Sequence, residues 1–262
     1  MGLCLCSVGK AYHSHDGATS VLRDVSITIA DGESVGIVGE SGVGKSTLIN
    51  LVAGYAFPDS GSITCDGQRV IGPGPERVVV SQQDSLYPWL TVRENARYAA
   101  IVGHYRGQRN EIADRADSLL QRFGLWPYRH KFPNFLSGGQ RRRVELVRAF
   151  AVVPRVLLLD EPYSSLDEGL RTDLGEYLLE WRRESPRVCT VLVTHDIEEA
   201  CFLVDRILIL GGQPASIVAE EWVGFGPYRD ALLRLDDDYQ SVVRRVRHRY
   251  HEVRNARLAV PQ

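Results

Sequence analysis

The run Gly39-Glu40-Ser41-Gly42-Val43-Gly44-Lys45-Ser46-Thr47 has the residue types and spacing to hold a row of phosphates, with Gly39, Gly44, Lys45 and Ser46 in the fixed places of a phosphate loop. Its glycines let the backbone turn so that successive N–H groups point inward. Lys45 then supplies a point charge to the β- and γ-phosphates, and Ser46 a hydroxyl for Mg2+. The carboxylates Asp160 and Glu161 close the apolar run Val156 to Leu159. There Asp160 can reach the metal, while Glu161 can orient and deprotonate an attacking water. His195, in Thr194-His195-Asp196, can donate to a γ-phosphate oxygen and sense its presence. Leu136-Ser137-Gly138-Gly139-Gln140 is a second glycine-rich loop, set before the helix-compatible run Arg141 to Val152, and so a second candidate anion site. Gln82 either reaches a metal or water beside the phosphates or is an exposed loop amide. Tyr12 either offers a stacking face to a base or is a partly exposed surface tyrosine.

Such chemistry needs strand ends and helix starts to position it. Ser34 to Val38 is short and apolar, and Leu48 to Ala53 is helix-compatible, so the phosphate loop lies between a strand and the positive end of a helix dipole. Val156 to Leu159 reads as a central parallel strand buried on both faces, which delivers Asp160 and Glu161 to the edge where open α/β sheets bind ligands. A helix from about Gly169 to Arg183 leads to a strand, Val188 to Val193, that ends at His195. Helix Ile197 to Val204 and strand Arg206 to Leu210 complete the sheet. Upstream, Val21-Leu22 and Val25 to Ile29 read as an antiparallel ribbon with Tyr12 in the loop between the first two strands, and Ser62 to Cys65 as a strand running into a turn at Asp66-Gly67. Val78 to Val80 reads as a buried strand, Thr91 to Gly124 as helical, and most of Arg141-Arg142-Arg143 as a solvated face. Beyond Gly212, Leu232, Leu235, Tyr239, Val242, Val246, Tyr250 and Val253 recur at steps of three and four, the mark of one long amphipathic helix. Its basic faces are either solvated or in contact with a membrane surface or partner.

The chain's 262 residues allow one sizeable α/β core with a small subdomain. Apolar residues at 44%, charged residues at 24% and a net charge of -2 match an ordinary globular protein and give no global basic field for nucleic acid. The five cysteines are scattered, which fits a reducing compartment rather than a disulfide framework. No run approaches the ~18 consecutive apolar residues of a membrane span, and the N-terminal stretch lacks the pattern of a secretory signal. A cytoplasmic location is the expectation.

Taken in order from about Val8 to about Val218, these stretches resemble the ATPase subunit of ATP-binding cassette (ABC) transporters. Gly39 to Thr47 matches the Walker A motif, Val156 to Glu161 the Walker B motif, and Leu136 to Gln140 the LSGGQ signature that separates this family from other phosphate-loop enzymes. Tyr12 is similar to the adenine-stacking aromatic, Gln82 to the Q-loop glutamine, Ser165-Leu166-Asp167 to the D-loop and His195 to the switch histidine. Leu86-Tyr87-Pro88-Trp89 looks most like the ATPases of nitrate, sulfonate and taurine importers. Three positions depart from the pattern: Ser81 stands where an aromatic is common, and Glu145 and Val147 replace the alanines usual after the signature.

The resemblance implies an α/β fold: a phosphate-loop NTPase core with a parallel sheet, an N-terminal antiparallel β subdomain and an inserted α-helical subdomain. The cassette would span 1–218, with the helical insertion at about 85–152, and a helical tail would follow at 219–262. It implies the cofactors ATP and Mg2+, with Glu161, Gln82 and His195 catalytic and Ser46, Gln82 and Asp160 at the metal. Tyr12, residues 39–47, Ser137, Gly138, Gly139, Gln140 and Asp167 would bind ATP. Two copies, or this chain and a homologous ATPase subunit, would sandwich ATP head to tail, so that Ser137 and Gly139 work in trans. Transmembrane permease subunits, and indirectly a periplasmic or extracellular solute-binding protein, would be the partners, with the chain peripheral on the cytoplasmic face of the membrane and no nucleic acid bound. The cargo by this resemblance is a small anion such as nitrate, a sulfonate or taurine; another small solute is the alternative. A non-transport ABC protein acting on DNA or ribosomes is the rival, disfavoured by one cassette and no long coiled-coil insertion.

Overall fold

A computed structural model describes residues 2–14, 17–83, 85–102, 108–164, 166–226 and 228–258. Ser165 of the expected D-loop lies outside them. The strands are β1 (Leu3–Ser14), β2 (Gly17–Ile29), β3 (Ser34–Val38), β4 (Ser60–Cys65), β5 (Gln68–Arg69), β6 (Arg77–Val80), β7 (Val156–Asp160), β8 (Cys189–Val193), β9 (Arg206–Gly212) and β10 (Ala215–Trp222). The α-helices are α1 (Lys45–Ala53), α2 (Val92–Ala96), α3 (Tyr98–Ile101), α4 (Arg109–Arg122), α5 (Gly138–Phe150), α6 (Glu168–Glu184), α7 (Ile197–Leu203) and α8 (Asp237–Leu258).

Strands buried on both faces must be apolar almost throughout, and β3, β7 and β8 are buried at every residue. They pair in parallel, flanked by β9 and β6. Alternation along each strand feeds two separate cores. Leu157, Leu159 and Leu192 join the helical side with α4 to α7, whereas Val156, Leu158, Val191 and Val193 join α1 and the N-terminal strands. The full sheet runs β5-β4-β1-β2-β10-β9-β3-β8-β7-β6, antiparallel in β1, β2, β4 and β5 and joined between β2 and β10 by one pair, Ala215 with Leu22. This is the expected α/β phosphate-loop fold with its antiparallel ribbon. Phe150, Trp181 and Tyr177 clamp α5 to α6, their rings 5.3 and 5.4 Å apart, and the Trp181 indole donates to the Phe150 carbonyl at 3.1 Å.

Several expectations change. Tyr12 is in β1, opposite Thr19, because β1 and β2 extend as one hairpin instead of two short runs with a loop. Val78 to Val80 belongs to an edge strand, paired among the described residues only with β7 and half-buried at Val78 and Val79. The stretch from Thr91 to Gly124 is not one helix: a capping box of Thr91 and Glu94 starts α2, and Arg97 breaks it from α3. Leu232 and Leu235 are exposed in a 3-10 turn, Ala231–Leu235. Asp236 Oδ1 accepts the Asp238 and Tyr239 N–H groups and starts α8 afresh, out of phase with that turn. Tyr239, Val243 and Val246 then form the buried stripe, so the tail docks on the body. The sheet also gains β10 after a tight connection, and a boundary at 218/219 falls inside that strand.

Candidate active site

The phosphate loop leaves the C-terminal end of β3 and enters α1 at Gly44, whose φ of 117° suits only glycine. Gly39 is needed for space, since a Cβ there would lie 2.8 Å from the Leu210 carbonyl oxygen. Lys45 is only 9% exposed and its ammonium donates to the loop's own carbonyls, Gly39 at 2.7 Å and Glu40 at 2.9 Å. Burial pulls its pKa down, opposed by the carboxylates of Glu161, Asp160 and Glu40. Ser46 is exposed at the helix start.

From the neighbouring strand end, Asp160 is 7% exposed. Burial pushes its carboxyl up, while a hydrogen bond with Ser46 pulls it back, Glu161 raises it and Lys45 lowers it. Glu161 turns away with φ at 49°, a left-handed conformation costing a non-glycine residue on the order of 1–2 kcal/mol. Its N–H donates to the Val193 carbonyl at 2.9 Å, which anchors the turn to β8. The turn just after that carbonyl carries His195, whose Nδ1 lies 2.9 and 2.8 Å from the two Glu161 carboxylate oxygens. Lys45, Ser46, Asp160, Glu161 and His195 are thus gathered at the C-terminal edge of three adjacent parallel strands.

The donor set fits Mg2+. Ser46 and Asp160 are hard oxygen donors already in contact, and the described residues contain no group of three or more His, Cys, Asp or Glu side chains that could form a complete protein cage. An ion that keeps waters and phosphate oxygens around one or two protein ligands suits such a site.

Other expected site residues stand apart. Among the described residues no hydrogen bond or ion pair joins Tyr12, Gln82, Ser137 or Asp167 to that cluster. Tyr12 is 45% exposed with the Lys10 ammonium 5.4 Å from its ring centre. Gln82 is exposed just past β6. Asp167 caps α6, accepting the Leu170 N–H at 3.0 Å. The signature loop forms a capping box: Ser137 Oγ accepts the Gln140 N–H at 3.3 Å, and Gln140 Oε1 accepts the Ser137 N–H at 2.9 Å. Ser137 and Gly138 are exposed, leaving the start of the 13-residue helix α5 open to an external anion.

Three features escape a sequence reading. Arg142 is buried rather than solvated, because its guanidinium meets the carbonyls of Pro162, Ser81, Asp160 and Glu161. Arg141 and Arg143 are half-buried, donating to the Leu136 and Phe123 carbonyls. Glu199 accepts the Thr194 hydroxyl at 2.5 Å beneath the histidine turn, and burial pushes its carboxyl up to about 7, that bond to Thr194 opposing the shift. Arg254, on α8, places Nε 3.4 Å from a carboxylate oxygen of Glu40 in the phosphate loop. The three-residue spacing of Arg142 and Glu145 is the sequence signal for the first feature; the other two carry none.

Residues 22–164 match the ABC transporter family. That span contains the phosphate loop, the signature loop and the strand-end carboxylates, while Tyr12, Asp167 and His195 fall outside it. The nitrate import ATP-binding protein NrtD of Synechococcus elongatus is 40% identical over 81% of this chain and 77% of its own length. The bicarbonate transport ATP-binding protein CmpD of Synechocystis is 40% identical over 83% and 77%. Among solved structures, the dimeric ATP-binding cassette MJ0796 in a post-hydrolysis state bound to ADP and Pi aligns with a TM-score of 0.73 at 29% identity, covering 84% of this chain and 98% of that one. With its phosphate loop, signature loop and strand-end carboxylates in place on this fold, the chain belongs to the ABC transporter family and is an ATPase of that family.

Proposed function

We propose that the chain hydrolyses MgATP at a head-to-tail dimer interface and thereby drives uptake of a small anion through separate membrane subunits. The observation that carries this reading is the division of the site. Lys45, Ser46, Asp160, Glu161 and His195 converge on one strand edge, whereas the exposed N-terminus of α5 shares no hydrogen bond with them among the described residues and so is available to a second subunit's nucleotide. In this mechanism residues 39–47 wrap the phosphates, and Tyr12 stacks on the base. Ser46, Asp160 and Gln82 would hold Mg2+, which supplies charge neutralisation at the phosphates. Glu161 takes a proton from the attacking water, and His195 holds the Glu161 carboxylate while its ring faces the γ-phosphate. Ser137, Gly138, Gly139 and Gln140 of the other subunit complete the anion cradle, with Asp167 bordering it.

We place the cassette at 1–222 with its helical part at about 85–152, and the docked tail after β10, so that the boundary falls at the end of that strand. No helix among the described residues is long and apolar enough to cross a membrane. The import proteins this chain resembles support membrane-spanning partners, with the chain on their cytoplasmic face. The names of NrtD and CmpD support an inorganic anion, nitrate or bicarbonate, alongside the sulfonate and taurine suggested by Tyr87-Pro88-Trp89. Affinity capture of the full tagged chain from detergent-solubilised membranes tests this. The expected result is co-recovery of a separately encoded membrane protein and ATPase activity raised by an anion-loaded binding protein. Recovery with ribosomes or DNA and no membrane protein would overturn it.

A further inference from the structure

Three side chains of the signature helix reach across to the segment that carries Gln82. Arg142, 4% exposed, donates from Nε to the Pro162 carbonyl at 2.7 Å, and from Nη2 to the carbonyls of Asp160 at 3.3 Å and Glu161 at 3.2 Å. Its Nη1 donates to the Ser81 carbonyl and to Glu145 Oε2, the latter at 2.9 Å. A guanidinium has five N–H donors, and each has its own acceptor. Glu145, 1% exposed, spends its other oxygen on Ser85, accepting from both the backbone N–H and the hydroxyl, the second at 2.9 Å. Arg148 completes Ser85 by donating to its carbonyl at 2.8 Å and its hydroxyl at 2.5 Å. Ser81 and Ser85 are the two flanks of the Gln82 loop, so one helix face grips both. Alanine at 145 could satisfy neither Ser85 donor, nor the Arg142 charge.

We propose that Arg142 and Glu145 form a positioning pair that ties the signature helix to both flanks of the Gln82 loop and to the Glu161 turn, so that a displacement of α5 resets the hydrolytic groups of its own subunit. This rests on the roles of Gln82 and Glu161 proposed above. The pair contacts no substrate and acts through the backbone carbonyls of Ser81, Asp160 and Glu161 and through Ser85. Buried ion pairs are expensive to break singly but replaceable together, which separates positioning from simple fold maintenance. Arg142→Gln with Glu145→Ala removes both charges of the pair and leaves Arg148 on the Ser85 carbonyl and hydroxyl.

The test is steady-state ATP hydrolysis and Tm for Glu145→Ala, Glu145→Gln, the double variant Arg142→Gln/Glu145→Ala, and each Glu145 change in a Gln82→Ala background. Glu145→Ala should lower kcat roughly 10- to 100-fold, the scale of an ångström-sized misplacement, with KM for ATP within about threefold. Glu145→Gln, which keeps an acceptor for Ser85, should recover part of kcat. The double variant should recover Tm but not kcat. In the Gln82→Ala background, Glu145→Ala should change kcat by less than about threefold, the non-additivity of groups acting through one another. Recovery of kcat together with Tm, or a full independent loss in that background, would overturn the proposal. A Gln82→Ala enzyme with unchanged kcat would instead overturn the site assignment beneath it.

Discussion

His195 Nδ1 sits 2.9 and 2.8 Å from the two carboxylate oxygens of Glu161, bridging the ends of neighbouring strands β8 and β7. Nδ1 is thus placed to donate to that carboxylate, which leaves Nε2 for another partner. Glu161 is thereby held from two directions, by this bond and by its own N–H on the Val193 carbonyl, and its left-handed backbone is kept in place by β8 rather than by local preference. Glu161→Gln should retain nucleotide affinity and lose ~10²–10⁴-fold in kcat, the range for a general base. Near wild-type turnover in a phosphate-release assay would remove Glu161 from the role.

Lys45 gives a different signature, because its ammonium already bonds the Gly39 and Glu40 carbonyls and is preset in the loop. Lys45→Ala should weaken ATP binding itself, by the about 1.5–3 kcal/mol of a hydrogen bond to a charged group. That is roughly 10- to 100-fold in Kd. Fluorescent-nucleotide titration showing unchanged affinity would contradict the loop assignment.

Much of this was legible in the chain and some was not, for physical reasons. The runs that became β3, β7 and β8 had to be apolar to lie between two cores, so their ends, and with them Lys45, Asp160, Glu161 and His195, could be placed by pattern. The hairpin end from Gly17 to Ser20 is exposed throughout, carries no alternation, and so hid the strand holding Tyr12. Burial of Arg142 depends on carbonyls from Ser81, Asp160, Glu161 and Pro162, a convergence no periodicity encodes. The exposed Leu232 and Leu235 follow from Asp236 restarting the helix, which a three-and-four spacing passes over.

Tyr12 projects from β1 with 45% of its surface open. If the ring stacks on the base, Tyr12→Ala should raise KM for ATP by the ~1–3 kcal/mol of an aromatic–base contact and leave kcat nearly constant. A fall in kcat at constant KM would assign Tyr12 elsewhere.

Glu199 gives stability a pH dependence. Its carboxyl is held at about 7 in the fold against an ordinary 4.5, first by burial, then against the Thr194 hydroxyl and with the Asp196 and Glu161 charges, Arg171 opposing. A raised carboxyl binds its proton more tightly when folded, so its contribution is greatest below 4.5 and is lost as pH rises to about 7. The loss is on the order of 3 kcal/mol. Thermal midpoints of wild type and Glu199→Gln across that window should converge at the high end no further than this loss permits, wild type falling relative to the variant. Parallel profiles would show that Glu199 does not titrate there.

Trp89 is 70% exposed and packs on Tyr87 with ring centres 5.5 Å apart, while Tyr87 itself stacks inward on Tyr98 at 4.3 Å. Exposed aromatics of this kind anchor interfaces. Trp89→Ala should uncouple transport while sparing much of the basal ATPase, and cysteines at Leu86 or Tyr87 should crosslink to a cytoplasmic loop of the membrane subunit. Unchanged transport by the Trp89 variant, with no crosslink, would place the partner elsewhere.

In the proposed mechanism two copies close around ATP, each lending its exposed α5 N-terminus to the other's phosphate loop. The most direct measurement is the solution mass of the Glu161→Gln chain by light scattering, with and without MgATP. The chain should be a monomer that becomes a dimer on adding MgATP, an effect abolished in the same background by Ser137→Arg. A mass that does not respond to MgATP, or a dimer that survives Ser137→Arg, would contradict it.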